Sequence, residues 1–105
     1  MRLRNYVNGN FCSHANEDWI TNLNPATGEE ICKVPISNFE DVNKAIYAAK
    51  AAHPNWSKIT PDERADWLEK IADKLEEMFE EIAQLESVDT GKPISLSRSV
   101  DASRS

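Results

Sequence analysis

Glycine is scarce in this sequence, and its placement excludes two common nucleotide-binding loops. The only glycines are Gly9, Gly28 and Gly91, so a G-x-G-x-x-G dinucleotide loop is absent. The phosphate-binding pattern G-x-x-x-x-G-K-[ST] is also excluded, because Glu86 lies five positions before Gly91 and Pro93 stands where serine or threonine is required. The chain therefore carries neither fingerprint by itself.

Cysteine is also rare, and the two thiols do not form a recognisable pair. Cys12 and Cys32 lie 20 positions apart and show no C-x-x-C spacing, so neither a zinc site nor a redox pair is indicated. We expect both to be free, partly buried thiols.

Long apolar runs and excess positive charge are missing as well. No apolar stretch approaches the roughly 20 residues of a membrane span, and no signal-peptide stretch follows Met1-Arg2-Leu3-Arg4. The 18 acidic and 12 basic residues give a net charge of −6, which opposes the electrostatic attraction behind most nucleic-acid binding. We expect a cytoplasmic chain with neither membrane nor nucleic acid as partner, and 105 residues allow one domain at most.

The region 5–35 is predicted to form strands and hairpins. Asn8-Gly9-Asn10 separates two short apolar segments, and Asn-Gly is the strongest short hairpin signal because both residues tolerate positive φ. A second hairpin is predicted to pair 19–23 with 30–34 across Asn24-Pro25-Ala26-Thr27-Gly28. Pro35 should end the second strand.

The first helix is predicted over 38–52. Ser37 and Glu40 have the spacing of a capping box, and Val42, Ala45, Ile46, Ala49 and Ala52 share one flat face. Because proline disfavours α geometry in the residue before it, His53-Pro54 should stop the helix near Ala52. His53 is interpreted as a helix-end cation in preference to a catalytic residue.

A second helix is predicted over 61–87, beginning with the capping box of Thr60 and Glu63. Its apolar stripe favours packing against a larger body over a two-stranded coiled coil; the stripe comprises Leu68, Ile71, Leu75, Met78, Ile82 and Leu85. The opposite face is acidic, which indicates solvation or basic groups on a partner or missing domain.

The segment Asp89-Thr90-Gly91-Lys92-Pro93 is a helix stop by its chemistry. Gly91 can adopt the left-handed conformation and Pro93 prevents continuation, but neither role explains Asp89 or Lys92. A further helix should start within 94–105, where Leu96 and Val100 begin a new face. No turn signal precedes Ser105, so the chain is interpreted as cut short.

Several of these segments together resemble the amino-terminal segment of aldehyde dehydrogenases. The resemblance covers about 5–101 and rests on Asn8-Gly9, on "NPATGE" at 24–29, on Phe39-Glu40-Asp41-Val42, on Trp56-Ser57 and Glu63-Arg64, and on "LESVDTGKP" at 85–93. "SLSRSVDASRS" at 95–105 is most similar to the branch acting on hydroxy- and aminomuconic semialdehydes. The implied fold is α/β, with hairpins and two amphipathic helices flanking an absent coenzyme-binding sheet.

The resemblance implies a reaction that this chain cannot perform alone. Family members oxidise an aldehyde to an acid with NAD or NADP, through a cysteine thiohemiacetal and thioester. All of those catalytic and cofactor-binding groups lie downstream of the matched region, so no catalytic residue is assigned and the chain alone is predicted to be inactive. The complete protein is expected to be a homo-oligomer with an aldehyde substrate.

One site carries over by the resemblance. Family members hold a monovalent cation through carbonyl groups before the Asn-Pro turn and the aspartate before Gly-Lys-Pro, which correspond to Asn22, Leu23 and Asp89. Three oxygen ligands are too few for a full shell, and a helix-end hydrogen-bonding role for Asp89 remains an equal alternative.

The leading interpretation is a fragment of an NAD(P)+-dependent aldehyde dehydrogenase, covering the amino-terminal part of its coenzyme-binding domain. The alternative is a small non-catalytic interaction module that docks on a full-length subunit through the exposed helix stripe.

Overall fold

The structure, a computed structural model, describes residues 1–101, and its side chains are described for residues 1–99. The elements, in chain order, are the strands Asn5–Val7 (β1), Asn10–Cys12 (β2), Trp19–Leu23 (β3) and Glu30–Pro35 (β4), the helices Phe39–Lys58 (α1), Pro61–Glu77 (α2), Phe79–Thr90 (α3) and Ile94–Leu96 (α4), and a π-helical turn, Ser97–Asp101. Where one domain was expected, the chain forms two compact units. Unit 1 comprises Met1–Asn22 and Glu30–Ile59, and unit 2 comprises Leu23–Glu29 and the described part of Thr60–Ser105.

The first hairpin, β1 and β2, forms where Asn-Gly predicted it. Asn8 and Gly9 both have positive φ, 52° and 77°, as a two-residue hairpin turn of the type I′ form requires. The antiparallel register pairs Asn5 with Cys12, Tyr6 with Phe11 and Val7 with Asn10. The paired rings of Tyr6 and Phe11 meet edge to face at 5.0 Å, which adds a cross-strand contact to the ladder.

The second sheet pairs β3 with β4 around the predicted Asn-Pro turn. The Asn24 side-chain oxygen accepts from the Ala26 amide at 2.9 Å, and its carbonyl accepts from the Gly28 amide at 2.7 Å. The side chain of Asn24 therefore fixes the turn as an Asx turn does. Pro35 is the last residue of β4, one position beyond the predicted strand end.

Two predictions about α1 were wrong. Its cap is Asn38, whose side chain accepts from the Asp41 amide, while Asp41 accepts from the Asn38 amide; the predicted pair, Ser37 and Glu40, lies one residue too early. The helix also continues through Pro54 to Lys58, which places the exposed His53 inside it. Proline lacks only its own amide hydrogen, so the residues after it can still donate to carbonyl groups one turn earlier.

The alanine face of α1 lies against the first hairpin. Three alanines of this face and the neighbouring Ala48 line a groove beside the first hairpin, namely Ala45, Ala48, Ala49 and Ala52 on α1 with Tyr6, Val7, Asn8 and Gly9. Ala45 and Ala48 are half-buried, whereas Ala49 and Ala52 stay exposed, so the predicted close packing of this face is only partial. In the same unit, an isolated parallel bridge between Arg2 and Lys33 pairs the first residues of the chain with β4. The sequence did not indicate this bridge.

The predicted helix over 61–87 is two helices. Thr60 and Glu63 form the expected capping box, with Pro61 in the first turn. The break falls at Met78, whose φ and ψ are −97° and 10°, and α3 then continues to Thr90, three residues past the predicted end. The apolar spacing is continuous through Met78, so a period-based prediction had no signal for the break.

The last described segment packs on α3. The Ser97 side chain is fully buried and donates to the Ala83 carbonyl at 2.8 Å. Ile94 begins α4, as predicted, but residues 102–105 of the predicted helix and the side chain of Val100 lie outside the described part of the chain.

Few apolar side chains are buried in either unit. Within the described residues only Cys32 and Ala83 form a buried apolar core, and many large apolar side chains remain exposed. In α2 no residue is buried. None of the described helices is long and apolar enough to cross a membrane.

Candidate functional site

The Gly91 helix end and the Asn24–Gly28 turn meet within unit 2. Gly91 caps α3 in the left-handed conformation, with φ of 76°, and its amide donates to the Ser87 carbonyl at 2.9 Å. A Cβ atom at position 91 would lie 3.0 Å from the Pro25 side chain. Glycine is therefore required here both by backbone conformation and by close packing.

Hydrogen bonds fix the chain on both sides of Gly91. The Ser87 hydroxyl donates to the Lys92 carbonyl at 2.6 Å, and the Thr90 hydroxyl donates to the Glu86 carbonyl at 2.8 Å. The Lys92 ammonium lies 3.9 Å from the Glu86 carboxylate. This ion pair gives Lys92 a structural role, which the sequence left unexplained.

The predicted cation ligands occupy the ends of two elements. Leu23 ends β3 and Asp89 lies in the last turn of α3, and both belong to unit 2; Asn22 precedes Leu23 in the chain. Leu23 and Asp89 are exposed. The described residues contain no group of three histidine, cysteine or acidic side chains that could hold a metal ion, so such a site would depend on backbone oxygens.

Asp41 is a buried charged residue that the sequence analysis missed. Both of its carboxylate oxygens accept from the Ala15 amide, at 2.9 and 3.1 Å, and one also accepts from the Asn38 amide at 2.9 Å. These backbone hydrogen bonds hold the pKa of Asp41 below its ordinary value, and the bond from Asn38 has the largest effect. The Asn38-Phe39-Glu40-Asp41 spacing, also a possible capping box, was the available signal.

A second missed group fastens the end of the described chain to α3. The Arg98 guanidinium donates to both carboxylate oxygens of Glu80, at 3.0 and 2.6 Å, and the Gln84 amide donates to the same carboxylate at 3.0 Å. The Arg98 hydrogen bonds, followed by that from Gln84, lower the pKa of Glu80 to about 2. No local spacing links positions 80 and 98, so this pair required the structure.

The thiols lack the surroundings of a nucleophile. The Cys12 thiol donates to the Asn5 carbonyl at 3.6 Å inside a hairpin, and Cys32 is buried in β4. Nor do the glycines fit a dinucleotide, because Gly9 and Gly28 occupy turns between strands and Gly91 ends a helix, whereas a pyrophosphate loop leads from a strand into a helix. Within the described residues, neither the thiols nor the glycines form a nucleophile site or a dinucleotide loop.

Comparison of the sequence with known protein families gives a result that agrees with the fold. The model of the aldehyde dehydrogenase family matches residues 11–105. The chain belongs to the aldehyde dehydrogenase family. This confirms the resemblance drawn from the "NPATGE" and "LESVDTGKP" segments.

Individual aldehyde dehydrogenases match nearly the whole chain but only the amino-terminal fifth of their own length. The 2-aminomuconic semialdehyde dehydrogenase of Danio rerio is 47% identical over 98% of this chain and 21% of its own. The crystal structure of PnpE with nicotinamide adenine dinucleotide is 39% identical, with a TM-score of 0.94, over 99% of this chain and 21% of that one. The crystal structure of a mutant of AldC from Pseudomonas syringae with NAD+ and octanal is 32% identical, with a TM-score of 0.94, over 96% of this chain and 21% of that one.

These likenesses confirm the predicted fold class. Two small hairpins followed by helices form the amino-terminal part of the aldehyde dehydrogenase fold. The chain spans about a fifth of the length of the aldehyde dehydrogenases it matches.

Proposed function

We propose that this chain is the amino-terminal part of an NAD-dependent aldehyde dehydrogenase and covers the coenzyme-binding sheet supplied by the rest of that enzyme. The catalytic cysteine and the coenzyme site belong to the downstream part. The name of the Danio rerio relative favours a semialdehyde as substrate, and NAD in the PnpE and AldC structures favours NAD as coenzyme.

The observation that carries this proposal is the exposed α2 part of the apolar stripe, Leu68 and Ile71, together with the neighbouring Trp67. Trp67, Leu68 and Ile71 are 52%, 63% and 54% exposed, although their spacing places them on one side of the helix. Burying one such side chain stabilises a protein by ~1.5 to 3 kcal/mol. A helix that leaves all three exposed is built to be covered by further protein.

In the complete enzyme, the coenzyme would accept a hydride from the substrate. This chain's residues contribute support: the Asp41 anchor holds the loop before β3 to α1, and the Arg98–Glu80 pair holds the turn after α4 to α3.

A chimeric enzyme tests the proposal. In it, this chain replaces the matching amino-terminal fifth of the Danio rerio enzyme, and NADH formation is followed with an aldehyde that the parent oxidises. We expect aldehyde-dependent NADH formation by the chimeric enzyme, whereas the 105-residue chain alone should form none. An inactive but folded chimeric enzyme, or activity of the isolated chain, would contradict the proposal.

Two matched variants of the chimeric enzyme test the role of α2. Leu68→Lys places a lysine on the apolar stripe and raises the net charge by one, and Glu69→Lys places a lysine on the neighbouring exposed position and raises it by two, so the control carries the larger charge change. We expect the first to lower the unfolding temperature and the NADH rate, because an unpaired buried charge is costly, and the second to change both little. Equal effects would show that the stripe is not covered.

The interaction module remains the alternative outcome. If the isolated chain binds an intact parent enzyme in sedimentation experiments, with Leu68→Lys abolishing binding and Glu69→Lys preserving it, docking on a full-length subunit replaces the fragment proposal.

The cation assignment is a separate proposal based on the family resemblance. The carbonyl groups of Asn22 and Leu23 and the carboxylate of Asp89 would contribute hard oxygen ligands, and the contact of Pro25 with the Gly91 helix end supports a common location for Leu23 and Asp89 within unit 2. We expect Na+ or K+ to raise the unfolding temperature of the chimeric enzyme relative to tetramethylammonium at equal ionic strength. Asp89→Asn should remove the difference; an unchanged difference leaves Asp89 with a helix-end role.

A further inference from the structure

A cationic cavity lies at the start of unit 1, apart from every feature assigned above. Its volume is about 430 Å³, which is within the range of small-ligand pockets. The lining residues are Arg2, Arg4, Cys12, Ser13, His14, Asn16, Glu17 and Trp19. The cavity thus gathers two arginines in a chain whose net charge is −6.

Backbone pairing sets the positions of both arginines. The Leu3 amide donates to the Lys33 carbonyl at 2.9 Å, and the Lys33 amide donates to the Met1 carbonyl at 2.9 Å. In an extended segment, residues two apart point to the same side, so Arg2 and Arg4 share a side while Leu3 takes the other.

Each guanidinium lies over an aromatic ring. The Arg2 Cζ atom lies 5.1 Å from the centre of the Trp19 ring, and the Arg4 Cζ atom lies 5.1 Å from that of Phe11. A cation–π contact of this kind does not use up all the N–H donors of a guanidinium, so the remaining donors can form hydrogen bonds with an anion. The ion pairs of the described residues include no carboxylate within 4.0 Å of either arginine.

His14 and Trp19, two further lining residues, also make defined contacts. His14 meets the Trp19 ring edge to face at 4.7 Å, and its Nε2 atom donates to the Asp18 carbonyl at 2.8 Å. Trp19 therefore contacts both His14 and Arg2. Glu17 is the one carboxylate in the lining, so the two arginines leave the cavity with excess positive charge.

From this geometry we infer that the cavity binds a small divalent oxyanion, a phosphate or a dicarboxylate, through the guanidinium edges of Arg2 and Arg4. Guanidinium groups match the planar and tetrahedral oxygen arrangements of these anions and form charge-assisted hydrogen bonds with them. The inference concerns residues 1–19 and does not depend on the proposed dehydrogenase activity.

Calorimetric titration with inorganic phosphate and with succinate tests the inference, with acetate as the monovalent control. The 105-residue chain and the chimeric enzyme are both titrated, each as wild type, Arg2→Gln, Arg4→Gln and Lys50→Gln. Lys50 is an exposed α1 residue outside the cavity, so its substitution makes the same charge change elsewhere.

We expect saturable binding that each arginine substitution weakens by at least about tenfold, the size of a lost charge-assisted bond, and that Lys50→Gln leaves unchanged. Preference for phosphate or for succinate identifies the source of the oxyanion. Arginine-dependent binding in either protein supports the site. No saturable binding in both, or equal weakening by all three substitutions, overturns it.

Discussion

Two independent constraints, backbone conformation and packing, require glycine at position 91. Its φ of 76° is unfavourable for any other L-residue, and its missing side chain makes room for Pro25. Gly28 has the same φ but no atom within 4 Å of an added Cβ. The two glycines therefore separate the conformational cost of a side chain from its packing cost.

We predict that Gly91→Ala destabilises the chimeric enzyme more than Gly28→Ala does. Both substitutions should cost about 1–2 kcal/mol for the left-handed conformation, and Gly91→Ala should add the cost of displacing Pro25. Urea unfolding of the two variants measures the difference. Equal free energies of unfolding would mean that the Pro25 contact does not constrain this helix end.

The Glu80–Arg98 pair makes a pH-dependent contribution at residue scale. The pKa of Glu80 is lowered from 4.5 to about 2, so the folded state holds the proton less tightly than the unfolded chain. The resulting stabilisation is present above pH 4.5 and is lost as pH falls from there towards 2. Because both side chains are largely exposed, solvent screens the pair and its contribution should be small.

We predict that a carbon-13 NMR titration of the selectively labelled chimeric enzyme places the pKa of Glu80 well below its ordinary value of 4.5. Arg98→Gln should move the Glu80 value back towards 4.5, with the Gln84 hydrogen bond maintaining part of the shift. Lys50→Gln is the control for overall charge. A Glu80 pKa at the ordinary value in the unmodified chimeric enzyme would contradict the pair.

At the scale of elements, sequence signals with local chemistry predicted the structure best. Asn8-Gly9 and the Thr60–Glu63 capping box each determine a turn or helix start through neighbouring residues, and both are present. The effect of proline on a helix is also local. The predicted end of α1 before Pro54 was nevertheless wrong, because proline weakens a helix without forbidding it. The break at Met78 and the contact of Pro25 with the Gly91 helix end depend on tertiary arrangement, which spacing does not encode.

We predict that Pro54→Ala strengthens the last turns of α1. Proline inside a helix costs up to ~3 kcal/mol relative to alanine, and alanine would restore a donor to the carbonyl of Lys50. Amide hydrogen exchange of the residues around position 54 in the chimeric enzyme should slow, whereas His53→Ala, a neighbouring control, should have little effect. Faster exchange after Pro54→Ala would show that proline stabilises this turn.

At the scale of the whole molecule, the family was predictable and the candidate site was only partly so. The segments "NPATGE" and "LESVDTGKP" identified the aldehyde dehydrogenase family from the sequence by their resemblance to it, and the family match confirms this. The cation ligands remain a proposal. The cavity of Arg2 and Arg4 was not predicted, since its wall includes Trp19, which is distant in sequence from both arginines.

The balance of buried and exposed apolar surface leads to a prediction for the isolated chain. Within the described residues, the buried apolar core is limited to Cys32 and Ala83, whereas the α2 part of the apolar stripe, Leu68 and Ile71, and the neighbouring Trp67 stay exposed. A chain with so little apolar burial cannot offset the entropy of ordering its backbone, which costs roughly 1–2 kcal/mol per residue. The missing cover must come from further protein or from another copy of the chain.

We therefore predict that the isolated 105-residue chain is helical by far-UV circular dichroism, binds a hydrophobic dye, self-associates and lacks a cooperative thermal transition. Leu68→Lys should reduce self-association and dye binding by interrupting the stripe, while Glu69→Lys should reduce neither. Sedimentation and dye fluorescence at several concentrations measure both effects. A sharp two-state melt of a monomer without dye binding would show that these residues form a self-sufficient domain, and would favour the interaction module over the dehydrogenase fragment.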